Sequence, residues 1–100
     1  MLKHSVIPTG IQTETLLAYV IAQQIYAKYG YDCIITSIVD GTHSRQSLHY
    51  VGFAIDLRIR HMEEPHKEEI FKEIKKALTT DYDVVLHSTH IHIEYQPKRP

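Results

Sequence analysis

Helical spacing first shows between about Gln12 and Tyr29, where the apolar Leu16, Leu17, Val20, Ile21 and Ile25 recur together with Gln24. Thr13 is the expected N-cap and Gly30 the expected stop, since a residue without Cβ readily takes the left-handed conformation that ends a helix. Ala22 and Ala27 suit a helix lying on a sheet. From Tyr31 to Ile38 the chain turns β-branched (Ile34, Ile35, Thr36, Ile38), which predicts a buried strand. Asp40-Gly41 then opens a polar loop that continues through Ser47.

Strict alternation follows from Gly52 to about Arg60. Phe53, Ile55, Leu57 and Ile59 share one face; Ala54, Asp56, Arg58 and Arg60 share the other. A second helix is predicted from Pro65 to Leu78, with Pro65 at its first position and Glu63 and Glu64 at the dipole's positive end. Ile70, Phe71, Ile74, Ala77 and Leu78 form its apolar stripe, and Glu68 and Lys72 make an i,i+4 pair. Short strands at Asp83–His87 and His90–Tyr95 close the pattern. Neighbouring short strands pair antiparallel, so the fold class is α+β: an antiparallel sheet with helices packed on one side.

One hundred residues make a single domain, 1–100, with no room for a second core. Eleven Lys and Arg against twelve Asp and Glu leave a net charge of −1, which argues against a nucleic-acid partner whose phosphates reward a basic face. No apolar run approaches the ~20 residues of a membrane span. The start, from Met1 to Pro8, lacks the apolar core and cleavage site of a signal peptide, so the expectation is cytoplasmic synthesis without secretion by that route. A lone cysteine, Cys33, excludes an internal disulfide and is read as a buried structural thiol. Eight histidines are many for this length, and they direct attention to the strands.

In His90-Ile91-His92-Ile93-Glu94 the two-residue period sets two imidazoles and a carboxylate on one face, about 7 Å apart between alternate residues. Asp56 has the same polar position in its own strand, and His49 lies on the loop that enters it. Two imidazoles and one carboxylate are what a catalytic zinc ion takes, with the fourth position left to water. A strand histidine is ordinarily just solvated, and spacing alone leaves both readings open.

The stretch Ser47-Leu48-His49-Tyr50-Val51-Gly52-Phe53-Ala54-Ile55-Asp56 resembles the S-x-H-x-x-G-x-A-x-D motif of the zinc D-Ala-D-Ala peptidases. That family includes cell-wall carboxypeptidases and dipeptidases and phage L-alanyl-D-glutamate endopeptidases. The same stretch, with His43-Ser44, is similar to the Hedgehog signalling domain, which shares the zinc fold, and His90-Ile91-His92 resembles the third-ligand segment of both. The resemblance implies one zinc ion on His49, Asp56 and His92, with His90 beside the metal and Ser47 facing the substrate. It implies a peptidoglycan peptide as substrate and a phage-type protein released by lysis or carried in a virion.

One departure matters. Peptidases of the family place a glutamate a few residues before the third ligand as general base, and here that position holds His87. An imidazole can accept a proton at neutral pH, so His87 is the expected base; Glu94 lies beyond the ligand and is the weaker choice. Arg58, which shares the face of Asp56, is a candidate receptor for a substrate carboxylate, with Arg45 and Arg60 behind it. The missing glutamate keeps a second reading open: a zinc-binding domain of the same fold that does not hydrolyse.

Overall fold

Helix α1 spans Thr13–Lys28 and ends where the glycine predicted. In the computed structural model, which describes residues 13–39, 54–78 and 80–96, Gly30 takes φ +85°. Its N–H donates to the Ala27 carbonyl, and the Tyr31 N–H to the Tyr26 carbonyl, both at 3.0 Å. Those two bonds form a Schellman ending that satisfies the last helical carbonyls. Thr13, expected as the cap, is already helical, and Gln12 lies outside the described residues.

The buried face of α1 is only in part the expected stripe, of which Ile21 and Ile25 pack half-buried against the core. Thr15, Ala18, Ala22 and Tyr26 face inward, while Leu16, Leu17 and Val20 are exposed at 47, 55 and 40%. Apolar residues surround this helix, so periodicity selects no face. Size decides: the small Ala18 and Ala22 let the backbone approach the sheet where leucines would hold it off.

The sheet has four strands in the order β1-β2-β4-β3, every neighbouring pair antiparallel: β1 Ile35–Val39, β2 Ala54–Arg58, β3 Tyr82–Leu86 and β4 His90–Tyr95. β1 starts four residues later than expected. The Tyr31 N–H is taken by the helix ending and the Asp32 carbonyl meets His61 Nε2 at 3.0 Å, so that stretch serves the turn and not the ladder. A register shift between Ile35 and Ser37 then lets Ser37 pair with Asp56. β2 ends at Arg58, two residues earlier than expected, although the Ile59 N–H still donates in register to the Thr89 carbonyl at 3.2 Å; Gly52 and Phe53 lie outside the described residues.

Helix α2, Glu64–Ala77, begins one residue before Pro65. Its cap residue Glu63 makes no side-chain cap bond, and its N–H instead donates to the Tyr31 hydroxyl at 3.2 Å. Ile70, Ile74 and Leu78 are buried as expected, whereas Ala77 is exposed. The expected Glu68–Lys72 pair does not form; Lys67 instead meets Glu64 at 2.8 Å.

Both helices pack on one face of the sheet, where Ile55, Leu57, Ile91 and Ile93 share a core with Ala18, Ala22, Tyr26, Ile70 and Ile74. Each large aliphatic side chain buried there is worth about 1.5–3 kcal/mol relative to exposure. Tyrosines pin the layers with their polar tips: Tyr26 donates to the Arg58 carbonyl at 3.0 Å, Tyr19 to Cys33 at 3.2 Å and Tyr82 to Glu14 at 2.7 Å. The described residues form a small α+β fold with a four-stranded antiparallel sheet and two helices. Among the described residues no helix is long and apolar enough to cross a membrane.

Candidate functional site

The face of the sheet away from the helices carries the chemistry, and strand register assembles it. β2 and β4 are neighbours, and their register sets Ala54 opposite Glu94, Asp56 opposite His92 and Arg58 opposite His90. Residues of one parity share a face, so the alternation that buries Ile55, Leu57, Ile91 and Ile93 turns these six to the other side. His92 Nδ1 lies 2.7 Å from Asp56 Oδ1, and His92 Nε2 lies 3.1 Å from Glu94 Oε1. Gln96 Nε2 donates to the other Glu94 oxygen at 2.7 Å. His90 Nε2 sits 3.8 Å from the same Asp56 oxygen.

A carboxylate between two imidazoles, and an imidazole between two carboxylates, makes a site that demands positive charge. Ionised carboxylates only accept hydrogen bonds, so a His92 ring bonded at both nitrogens donates from both and is an imidazolium. The Asp56 bond is the main cause, Glu94 adds to it and partial burial opposes it; together they raise the His92 pKa to about 9. Glu94 is only 3% exposed, so little water weakens its hold on the ring.

That chemistry fits a metal ion. A ligating histidine usually gives its second ring N–H to a carboxylate, which fixes the tautomer and the ring's orientation. Here Asp56 at Nδ1 could serve as a co-ligand and Glu94 at Nε2 could serve as the orienting group. Asp56 and His92 would be the residues to hold such a cation, and it would compensate their negative charge as the proton does now. Among the described residues no group of three His, Cys, Asp or Glu is arranged to hold an ion. The third ligand from the resemblance, His49, lies outside the described residues, as do Ser47, His43 and Arg45.

His87 stands apart from the Asp56–His92 pair. It is exposed at the end of β3, its N–H donates to the His90 carbonyl at 2.9 Å, and its ring stacks on that of His90 with centroids 4.6 Å apart. It lines a different cavity of about 500 Å³, together with Ile59, Leu86 and α2 residues Glu64 and Lys67. Arg58 is half-buried opposite His90 and lines a small cavity with it, Thr36, Arg60 and Thr89. Cys33 is buried as expected, though it precedes β1, and burial pushes its thiol up to about 12, which keeps it protonated and unreactive.

From the sequence Glu94 is a carboxylate on the face of His90 and His92 and a weaker candidate base; its part as the buried partner of His92 emerges from the fold. The i,i+2 spacing already set the two on one face. In comparisons with family models, curated proteins and solved structures, none matched this chain.

Proposed function

We propose that this chain is a zinc-dependent peptidase domain of the D-Ala-D-Ala peptidase and Hedgehog type of fold, acting on peptides of peptidoglycan and of phage-like origin. The observation that carries the reading is the cross-strand meeting of Asp56 and His92 at 2.7 Å, two of the three residues that the motif resemblance names as ligands. His49 is proposed as the third. Zinc bound to such a set supplies Lewis-acid activation of water and of a scissile carbonyl. Asp56 and His92 hold it, Glu94 fixes the His92 ring, and His90 is the nearest further imidazole to carry a proton to the leaving amine.

The second reading, a zinc-binding domain without turnover, is favoured by one observation. His87 occupies the position of the family's general base, yet it is exposed and contacts the site through the stacked ring of His90. Incubating zinc-loaded protein with muropeptides and analysing the products by mass spectrometry separates the two. Fragment release that is abolished by chelator and by His49→Ala supports the peptidase. Tight zinc without release supports the binding domain. Unchanged hydrolysis in His87→Ala would remove His87 from the mechanism.

A further inference from the structure

The two helices share one face of the sheet but meet solvent differently. Exposed positions of α2 include Glu64, Glu68, Glu69, Lys72, Lys75 and Lys76, a charged and well-solvated surface. Between Glu14 and Lys28, the exposed positions of α1 are Leu16, Leu17, Val20, Gln23, Gln24 and Ala27, with no charge among them. These recur at intervals of three and four residues, so they form one stripe along the helix. Leu16, Leu17 and Val20 keep 47, 55 and 40% of their surface in contact with solvent. The apolar surface continues beside them into a cavity of about 240 Å³ between the helices, whose walls include Leu17, Ile21, Ala77 and Leu78. A stripe of that kind is the side on which one helix packs against another.

Charge at the two ends of the stripe says what covers it. Glu14 lies in the first turn of α1 and Lys28 in the last. Their separation is close to four whole turns, so the two side chains leave the helix within about 40° of each other. Both lie on the flank toward α2: Glu14 lines the cavity with Ala77 and Leu78, and Lys28 meets Glu73. A second copy laid antiparallel on the stripe is related by a two-fold axis, which sets each flank against the same flank of its mate. Glu14 of each copy then stands beside Lys28 of the other, at both ends of an uncharged seam, and the helix dipoles oppose. A parallel pair would bring like charges to the same end. Lys28 keeps Glu73 in this arrangement, since an ammonium group has three donors.

We propose that α1 is a self-association surface, through which two copies of this chain pair antiparallel along Leu16, Leu17, Val20 and Gln24. Asp56 and His92 lie on the other face of the sheet, so pairing leaves both candidate sites open and stands apart from the peptidase reading. One helix pair is a small interface, and the expected dissociation constant is on the order of 100 µM. Dilute protein is therefore monomeric, and the paired form is a property of concentrated solution.

Sedimentation velocity of the full chain from about 10 µM to about 1 mM reads the association directly. The wild type is expected to shift from one copy toward two across that range. Leu17→Glu puts a charge into the seam twice per dimer and should weaken association more than about 100-fold, leaving a monomer throughout. Glu14→Lys sets like charges at both ends and should weaken it about tenfold, as should Lys28→Glu. The double swap Glu14→Lys/Lys28→Glu restores unlike pairs and should return the affinity to within about threefold of wild type. Tyr82 donates to the backbone carbonyl of Glu14, so the swap keeps that bond. Circular dichroism checks that each variant folds, and the wild-type concentration series stands without them. A wild type that stays monomeric at every concentration overturns the proposal, as it would if a different protein covered the stripe. Association that survives Leu17→Glu places the interface elsewhere and overturns it too. So does a double swap no tighter than either single reversal, which excludes the antiparallel pairing.

Discussion

Replacing Glu94 by glutamine tests whether a buried carboxylate holds the His92 ring in place. The substitution keeps the shape and one acceptor oxygen but removes the charge 3.1 Å from His92 Nε2. Gln96, which now donates to the second Glu94 oxygen, would turn its amide over to accept from the new side chain. Because Glu94 is 3% exposed, solvent does little to replace what is lost. Removing the orienting partner of a ligating histidine typically lowers metal affinity by about 10- to 100-fold, or roughly 1.4–2.7 kcal/mol. Exchanging a charge-assisted bond for a neutral one costs the metal-free fold about 1 kcal/mol, which corresponds to a melting temperature lower by about 4–8 °C in a domain of this size. Zinc affinity is read by competition with a chromophoric chelator, and stability by circular dichroism of the chelated protein. The Asp56 bond is the larger influence on His92, so Asp56→Asn should weaken zinc further than Glu94→Gln does. Zinc affinity indistinguishable from wild type in Glu94→Gln would refute the orienting role.

The folded state of the chelated protein binds the His92 proton more tightly than the unfolded chain does. Its stabilising effect is therefore complete below the unfolded pKa of 6.5 and is lost as pH rises through about 9. The urea midpoint of metal-free protein should fall across that window, and a midpoint that rises there contradicts the assignment. Tyr26→Phe removes the donor to the Arg58 carbonyl from a fully buried position, and should cost about 1–2 kcal/mol in urea denaturation. On α1, Leu17→Gln should change stability by less than about 0.5 kcal/mol. Ala18→Leu should cost about 1–3 kcal/mol by overpacking, and the opposite ranking would show that the helix buries its leucine face.

Strand β4 was legible to the residue, because every second position from Ile91 is apolar and the pattern has one reading. The same period placed Asp56 on the polar face of β2. What no local pattern contains is which strands become neighbours and in what register, and that is what brings Asp56 to His92. Helix α1 misled for the opposite reason: with apolar residues on all sides, its buried face was set by how closely Ala18 and Ala22 approach the sheet. β1 began late because the turn claimed Tyr31 and Asp32 through bonds made to Tyr26 and to His61, distant in sequence or set by the helix end. His92's second partner and the pocket walls Thr36 and Thr89 depend likewise on tertiary placement.

Metal stoichiometry decides the central claim. Purified protein, stripped and then dialysed against zinc, is measured by inorganic mass spectrometry alongside His49→Ala, Asp56→Ala and His92→Ala, with each variant's fold checked by circular dichroism. The account predicts one tightly held ion per wild-type chain and its loss from each folded variant. A folded wild type that retains no zinc, or an Asp56→Ala variant that retains its full complement, would contradict it.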